Sequence, residues 1–251
     1  AKRFDGGCGW VSAGSGRIDL TGKPLCEALY TQVALEKERG PFIGVCPVNH
    51  TGERHSPSAW KMSNAVSSWS WRGCGRTAHV EIYARADYVV LYVNGREVGR
   101  KRMKDDCIAK FSCVYDNGVI EATAFDADGQ EIGRTSLKTA EEETVLLAEP
   151  EETSVRAGHL CYIRLRYADS QGITKPMARG MIKVETDGGE LLALGNACPY
   201  NERGYLTDET EPYYGEALAI VRAGSGQSIR LRAVGETENC RAEIVIPVIE
   251  E

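Results

Sequence analysis

The 251-residue chain has no apolar run of eighteen residues, so nothing in it reads as a membrane-spanning helix. Its first residues, A-K-R-F-D-G-G-C, lack the apolar stretch of a secretion signal and carry no initiator Met. No C-x-x-C pair, Walker loop, dinucleotide fingerprint or G-x-S-x-G elbow occurs, which removes the common signatures of redox, nucleotide and serine-hydrolase chemistry. An excess of positive charge is also missing. The net charge is −6, and the one basic cluster, residues 96–104, is followed at once by Asp105 and Asp106. Both facts argue against a nucleic-acid partner. No cofactor and no metal are expected. His79-Val80-Glu81 has the H-x-E spacing of zinc deaminases without their P-C-x-x-C partner, and a strand explains it equally well. Asp126-Ala127-Asp128-Gly129 lacks the further ligands of a calcium loop and reads as a hairpin turn. His50 and His55 fall in a loop, where a surface role is the simpler reading.

Nine cysteines are present, an odd number at irregular spacing. Several, such as Cys113 and Cys161, sit in apolar strand patterns, where Cys behaves as a small hydrophobe. They read as reduced thiols of a cytoplasmic protein; a secreted protein with a disulfide framework is the alternative. The formal glycosylation triplet Asn49-His50-Thr51 is too short to decide between them.

Helical signals are nearly absent. Residues 1–18 are rich in Gly and Ser and read as loop. One helix is expected over residues 24–38, with Pro24 in its first turn and Gly40-Pro41 as its stop. Leu25, Ala28, Leu29 and Val33 form one stripe, and Cys26, Tyr30 and Ala34 a second, so this helix needs neighbours on two sides.

Everything after it has a strand-like period. Ala78, Val80, Ile82 and Ala84 alternate with polar residues, residues 88–93 are apolar on both faces, and Asn94-Gly95 is a hairpin turn. Strands are expected over residues 108–114, 119–125 and 131–137, the first two joined by Asp116-Asn117-Gly118. A polar run, residues 138–143, ends in three glutamates, and the pattern then restarts. Alternation over residues 161–167, 229–233 and 242–248 marks a second set of strands. Between Leu194 and Tyr214 lies a loop long enough to suggest either a function or packing of its own. The expected fold is all-β, with two immunoglobulin-like sandwiches in tandem after one helix. The expected domains are residues 1–40, 41–140 and 141–251.

The segment S-G-R-I-D-L-T-G-K-P (residues 15–24) resembles the end of the (β/α)8 catalytic barrel of glycoside hydrolase family 2 enzymes of the β-galactosidase type. Ser68-Trp69-Ser70-Trp71 is similar to that family's H-W-N-W phrase, with Ser in place of His and Asn. The run V-E-I-Y-A-R-A-D-Y-V-V-L-Y-V-N-G-R-E-V-G (residues 80–99) resembles its V-x-V-Y-T-N-A-D-E-V-E-L-F-L-N-G-K-S-L-G. Residues 191–199, L-L-A-L-G-N-A-C-P, resemble the L-L-G-V-G-N-G-D-P of its terminal invasin-type module.

This resemblance implies that the chain begins at the tail of a larger barrel domain. Both catalytic glutamates would lie upstream of residue 1, so no catalytic residue is expected here. It also implies a parent that hydrolyses terminal β-galactosides with retention, and a barrel that partners the helix. Further candidate partners are a carbohydrate and a second copy of the chain. Without the barrel, the helix is expected to fold onto the first sandwich or to pair with another copy.

The candidate carbohydrate contacts are Trp60, Trp69 and Trp71, because an aromatic face can stack on the C–H-rich face of a sugar. The alternative is that they pack the long connection of residues 49–77 onto the first sandwich or the barrel. Tyr200, Tyr205, Tyr213 and Tyr214 in the later loop carry the same pair of readings. Three functions remain open on the sequence: accessory domains of a hydrolase, an independent carbohydrate-binding pair, and an adhesion-type tandem module. The helix counts against the third, which has no need of it.

Overall fold

The computed structural model describes residues 16–50, 61–201, 203–236 and 240–249. Trp60, His55 and Thr51 lie outside the described residues. The chain divides after Thr139 into two units. No described helix is long and apolar enough to cross a membrane.

The first unit holds helix α1 (Cys26–Ala34) and strands β1 (Phe42–Val45), β2 (Thr77–Tyr83), β3 (Tyr88–Val93), β4 (Arg96–Arg102), β5 (Ile108–Val114), β6 (Val119–Phe125) and β7 (Glu131–Lys138). They form an antiparallel sheet β1-β2-β5 and a second sheet β4-β3-β6-β7. Inward-facing Val80, Ile82, Val89, Leu91, Phe111, Ile120 and Ala122 are all buried. At the β3–β4 hairpin Asn94 and Gly95 both have positive φ, 50° and 76°, as a type I′ turn demands. The Asn94 side chain also braces the β5–β6 turn, accepting from Val119 N (2.8 Å) and donating to Asn117 O (2.8 Å). Asp126 caps the β6–β7 turn, accepting from the amides of Asp128 and Gln130.

The second unit holds β8 (Val145–Pro150), β9 (Val155–Arg156), β10 (Leu160–Ala168), β11 (Ile182–Asp187), β12 (Gly189–Gly195), β13 (Glu209–Thr210), β14 (Glu216–Ala223), β15 (Ser228–Val234) and β16 (Arg241–Ile249). Its sheets are β12-β14-β10-β8 and β13-β11-β15-β16-β9, with β16 and β9 paired in parallel. On β10 the expected alternation is seen: Cys161, Ile163, Leu165 and Tyr167 are buried, while Tyr162, Arg164 and Arg166 face outward. Ile182, Val184, Ala219, Val221, Ile229 and Leu231 complete the core. The described residues are therefore all-β with one α-helix, in two sandwiches in tandem.

Two expectations need correction. The helix is nine residues long, not fifteen: it ends at Ala34, and Glu36 has a left-handed φ of 58°. The amides of Glu36, Lys37 and Glu38 turn back to Val33 O and Gln32 O, closing the helix before Gly40. Residues 35–39 are exposed, so no apolar contact repays continuing the helix. On β2 the alternation breaks after Val80, where Glu81, Ile82 and Tyr83 are all buried. Helix α1 covers the outer face of that strand.

Candidate functional site

One polar arrangement in the first unit is the seam beneath α1. Gly44 on β1 opens it: a Cβ there would stand 2.9 Å from Ala65 Cβ and 3.1 Å from both Cys26 Sγ and Tyr83 Oη. Only a residue without a side chain lets the helix approach this strand. Tyr83 donates to Glu81 Oε2 (2.7 Å), and Lys110 pairs with Glu81 Oε1 (3.3 Å). Tyr30 of the helix meets the Tyr83 ring edge-on at 5.9 Å.

Glu27, on the next helical position, accepts from Ser63 N at 3.3 Å. Burial lifts its carboxyl above the usual range, with the charge of Glu81 adding to the effect; the Ser63 amide and Lys61 oppose it. Burial likewise pushes the Cys26 thiol up to about 12, although it touches Ser67 Oγ at 3.5 Å. Such a thiol is neutral and unreactive at ordinary pH. Three outer ties hold the helix in place. Arg17 Nε donates to Thr31 Oγ1 (2.6 Å), Arg85 Nη2 to Ala34 O (3.1 Å), and Arg85 pairs with Glu36 (3.3 Å).

The tryptophan phrase is a packing knot. Trp69 and Trp71 are both buried. Trp69 Nε1 donates to Asp116 O (2.9 Å) and Trp71 Nε1 to Ser68 O (3.0 Å). Tyr115 packs edge-on against Trp69 at 4.8 Å. Its hydroxyl accepts from Trp71 N (3.0 Å) and faces Trp71 O at 2.9 Å. Thr139 Oγ1 donates to Trp69 O (2.9 Å) and Ser70 Oγ to Lys138 O (3.3 Å). Trp69 and Trp71 therefore do not offer a ring to a sugar. Their apolar area is worth more inside the sandwich, and each indole N–H finds a backbone carbonyl there.

The long loop of the second unit is also largely built inward. Tyr205 lies where a side chain on Gly195 would be, and its carbonyl accepts from Leu194 N (2.9 Å). Asn196 Nδ2 donates to Glu211 O (2.6 Å), and its Oδ1 accepts from Cys198 N (2.8 Å). Tyr213 and Tyr214 stack edge to face at 4.7 Å. Tyr200 and Leu206 are exposed.

Sequence reasoning placed the tryptophans at the centre of interest and missed Tyr83, Glu81, Tyr115 and Gly44. The i, i+2 spacing of Glu81 and Tyr83 was a usable signal, since it sets both on one face of a strand. His79, two residues from Glu81, is exposed and contacts Ser112 Oγ (3.1 Å). No cluster of three or more metal-ligating side chains occurs among the described residues.

Comparison with known proteins adds the family. Residues 75–133 match a domain of unknown function (DUF4982), and residues 145–240 match glycoside hydrolase family 2 C-terminal domain 5. The β-galactosidase BoGH2A of Bacteroides ovatus is 21% identical over 187 residues, 73% of this chain and 22% of that protein. A glycosyl hydrolase family 2 member from Bacteroides cellulosilyticus shares the fold with a TM-score of 0.87 at 22% identity, over 97% of this chain and 32% of its own. A β-glycosidase from Bacteroides vulgatus shares it with a TM-score of 0.73 at 21% identity, over 93% of this chain and 28% of its own. The chain thus spans between about a fifth and a third of these proteins. Residues 145–240 thus match a glycoside hydrolase family 2 C-terminal domain, and the fold of the chain is shared with the family 2 member from Bacteroides cellulosilyticus.

Proposed function

We propose that this chain is the non-catalytic accessory part of a retaining β-galactosidase-like hydrolase, and that its helix is covered by the catalytic barrel of the parent enzyme. The observation that carries the reading is the apolar surface left around α1. Ile18 is 60% exposed, Leu20 46% and Leu35 65%, all in segments flanking the helix. Large apolar side chains gathered at one exposed element mark a contact surface.

The seam beneath the helix supports a structural role for its acids. A retaining glycosidase holds two carboxyls about 5–5.5 Å apart across a substrate. Here Glu81, beneath the helix, is engaged by Tyr83 and Lys110, and Glu27, in the first turn of the helix, by Ser63. The galactoside as parent substrate is supported by the name of the relative from Bacteroides ovatus. The chain alone is expected to release no nitrophenol from p-nitrophenyl β-galactoside. Turnover that co-purifies with the polypeptide and resists affinity re-purification would overturn the accessory reading.

A second reading, carbohydrate binding independent of the barrel, is favoured by the exposure of Tyr200 and Leu206 on the long loop. A glycan-array signal lost in Tyr200→Ala would support it over the first. The cysteines support a reducing compartment, since the eight that are described form no disulfide with one another. Titration of the denatured, unreduced protein is expected to find most thiols free.

A further inference from the structure

The polar run of residues 138–143 reads in the sequence as the boundary between two sets of strands. In the structure its later residues are held fast. Asp169, at the end of β10, is fully buried, and its carboxylate accepts three backbone amides: Glu141 N (2.8 Å), Gln171 N (3.0 Å) and Ile173 N (2.8 Å). Lys175, at the other end of the same loop, donates to Glu142 O (2.7 Å), Glu143 O (2.7 Å) and Thr144 Oγ1 (2.8 Å). Gln171 Nε2 reaches Glu141 Oε1 (2.9 Å), and Cys240 Sγ contacts Thr144 O (3.5 Å).

The loop itself is fixed from behind. Arg166 Nη1 donates to Gly172 O (2.7 Å) and Thr174 Oγ1 (2.9 Å), and Lys175 N to Tyr167 O (2.8 Å). The side chains of Glu141, Glu142 and Glu143 face solvent while their backbone is gripped. This is the reverse of a hydrated linker, in which backbone groups take water. On the other side, Thr139 is tied into the first unit through Gly118 O (2.8 Å) and Trp69 O (2.9 Å).

We infer that the loop of residues 169–175 is a clasp that fastens the segment of residues 141–144 to the body of the second unit. The clasp grips chiefly main-chain atoms, with one buried anion and one cation, so it works mainly on the path of the chain. Charge-assisted hydrogen bonds of this kind are the strong ones. The three glutamates then act as an exposed acidic rim, with Lys175 as the cation beneath them.

The test uses the full chain and the glutamate-specific endoprotease of staphylococcal type. A protease needs several extended, accessible residues, so a closed clasp protects residues 141–143. Lys175→Met is expected to raise the cleavage rate there at least tenfold over wild type, with the urea midpoint of the first unit unchanged. Equal rates in two folded proteins would overturn the inference. Should Lys175→Met fail to fold, hydrogen exchange on the unaltered protein decides instead. The Glu141 amide, held by Asp169, is expected to exchange at least a hundredfold more slowly than an unstructured peptide. Exchange at the unstructured rate means an open clasp and ends the proposal.

Discussion

Two carboxylates, the buried Asp169 of the second unit and the half-buried Glu27 of the first, are treated in opposite ways. Asp169 receives three backbone amides and has Lys175 beside it; burial opposes its ionisation, but these partners outweigh burial and hold its carboxyl below the usual range. Glu27 is served by its own amide and by Ser63 N at a longer 3.3 Å, and there burial wins, so its carboxyl is lifted. Both are acids next to main chain that enters a sandwich. The difference lies in the number of donors, because each N–H aimed at a carboxylate stabilises the charged form and burial alone penalises it. The first region is a fixed anchor for a strap of chain. The second is a compromise site under a short helix, where an acid is kept although it is poorly served.

The comparison can be broken most forcefully at the well-served acid. Asp169→Ala leaves three amides without their acceptor and is expected to destabilise the second unit by about 3 kcal/mol, read as a lower urea midpoint. The first unit should keep its own transition. A loss below about 0.5 kcal/mol would mean that water or another acceptor replaces the carboxylate at no cost.

The next largest effect falls on the helix side. Gly44→Ala forces a methyl between Ala65, Cys26 and Tyr83, where the space is under 3.2 Å on every side. Overpacking of this kind costs about 1–3 kcal/mol. The expected signature is partial undocking of α1, seen as loss of helical circular dichroism before the sheets melt. An unchanged helical signal would show that the seam can widen freely.

The smallest effect, and the one that sharpens the comparison most, is the sign of the pH dependence. Asp169 has a depressed folded pKa, so its contribution is complete above the unfolded value of about 3.9 and is lost as pH falls through the folded pKa. Glu27 has a raised folded pKa, so the folded state holds its proton more tightly than the unfolded state. Its contribution is therefore present below the unfolded value of about 4.3 and is lost as pH rises through the folded pKa. Unfolding followed separately for each unit should show Asp169→Asn flattening the acid limb of the second. Glu27→Gln should remove a loss of helix docking that wild type shows on going from acid to neutral pH. If both substitutions move stability in the same direction across pH 3–7, the contrast between the sites is wrong.

Much of the fold was legible in the residues. The period of two on β10, the Asn94-Gly95 turn and the restart of pattern after residue 143 each rest on local chemistry that survives in any context. Helix length was less legible: residues 35–38 suit a helix in isolation, and only the lack of anything to pack on ends it. The tryptophans were noticed for their type, but their fate depends on Tyr115, more than forty residues away in the chain. The clasp was invisible for the same reason. Lys175 grips carbonyls 32 and 33 residues before it, and no local pattern marks a lysine as a main-chain ligand. Glu27 shows the limit in the other direction, since helical spacing places it but does not say that it will be starved of donors.

Residues two apart in the connection answer to different owners: Thr139 to the Gly118 turn, Glu141 to Asp169. A genetic crossover at codon 140 would leave each of these two residues with the group that secures it. A crossover a few codons later would part the acidic rim from the lysine that grips it. In such modular chains that codon is the natural seam for shuffling, and chimaeras made on either side of it should differ sharply in yield.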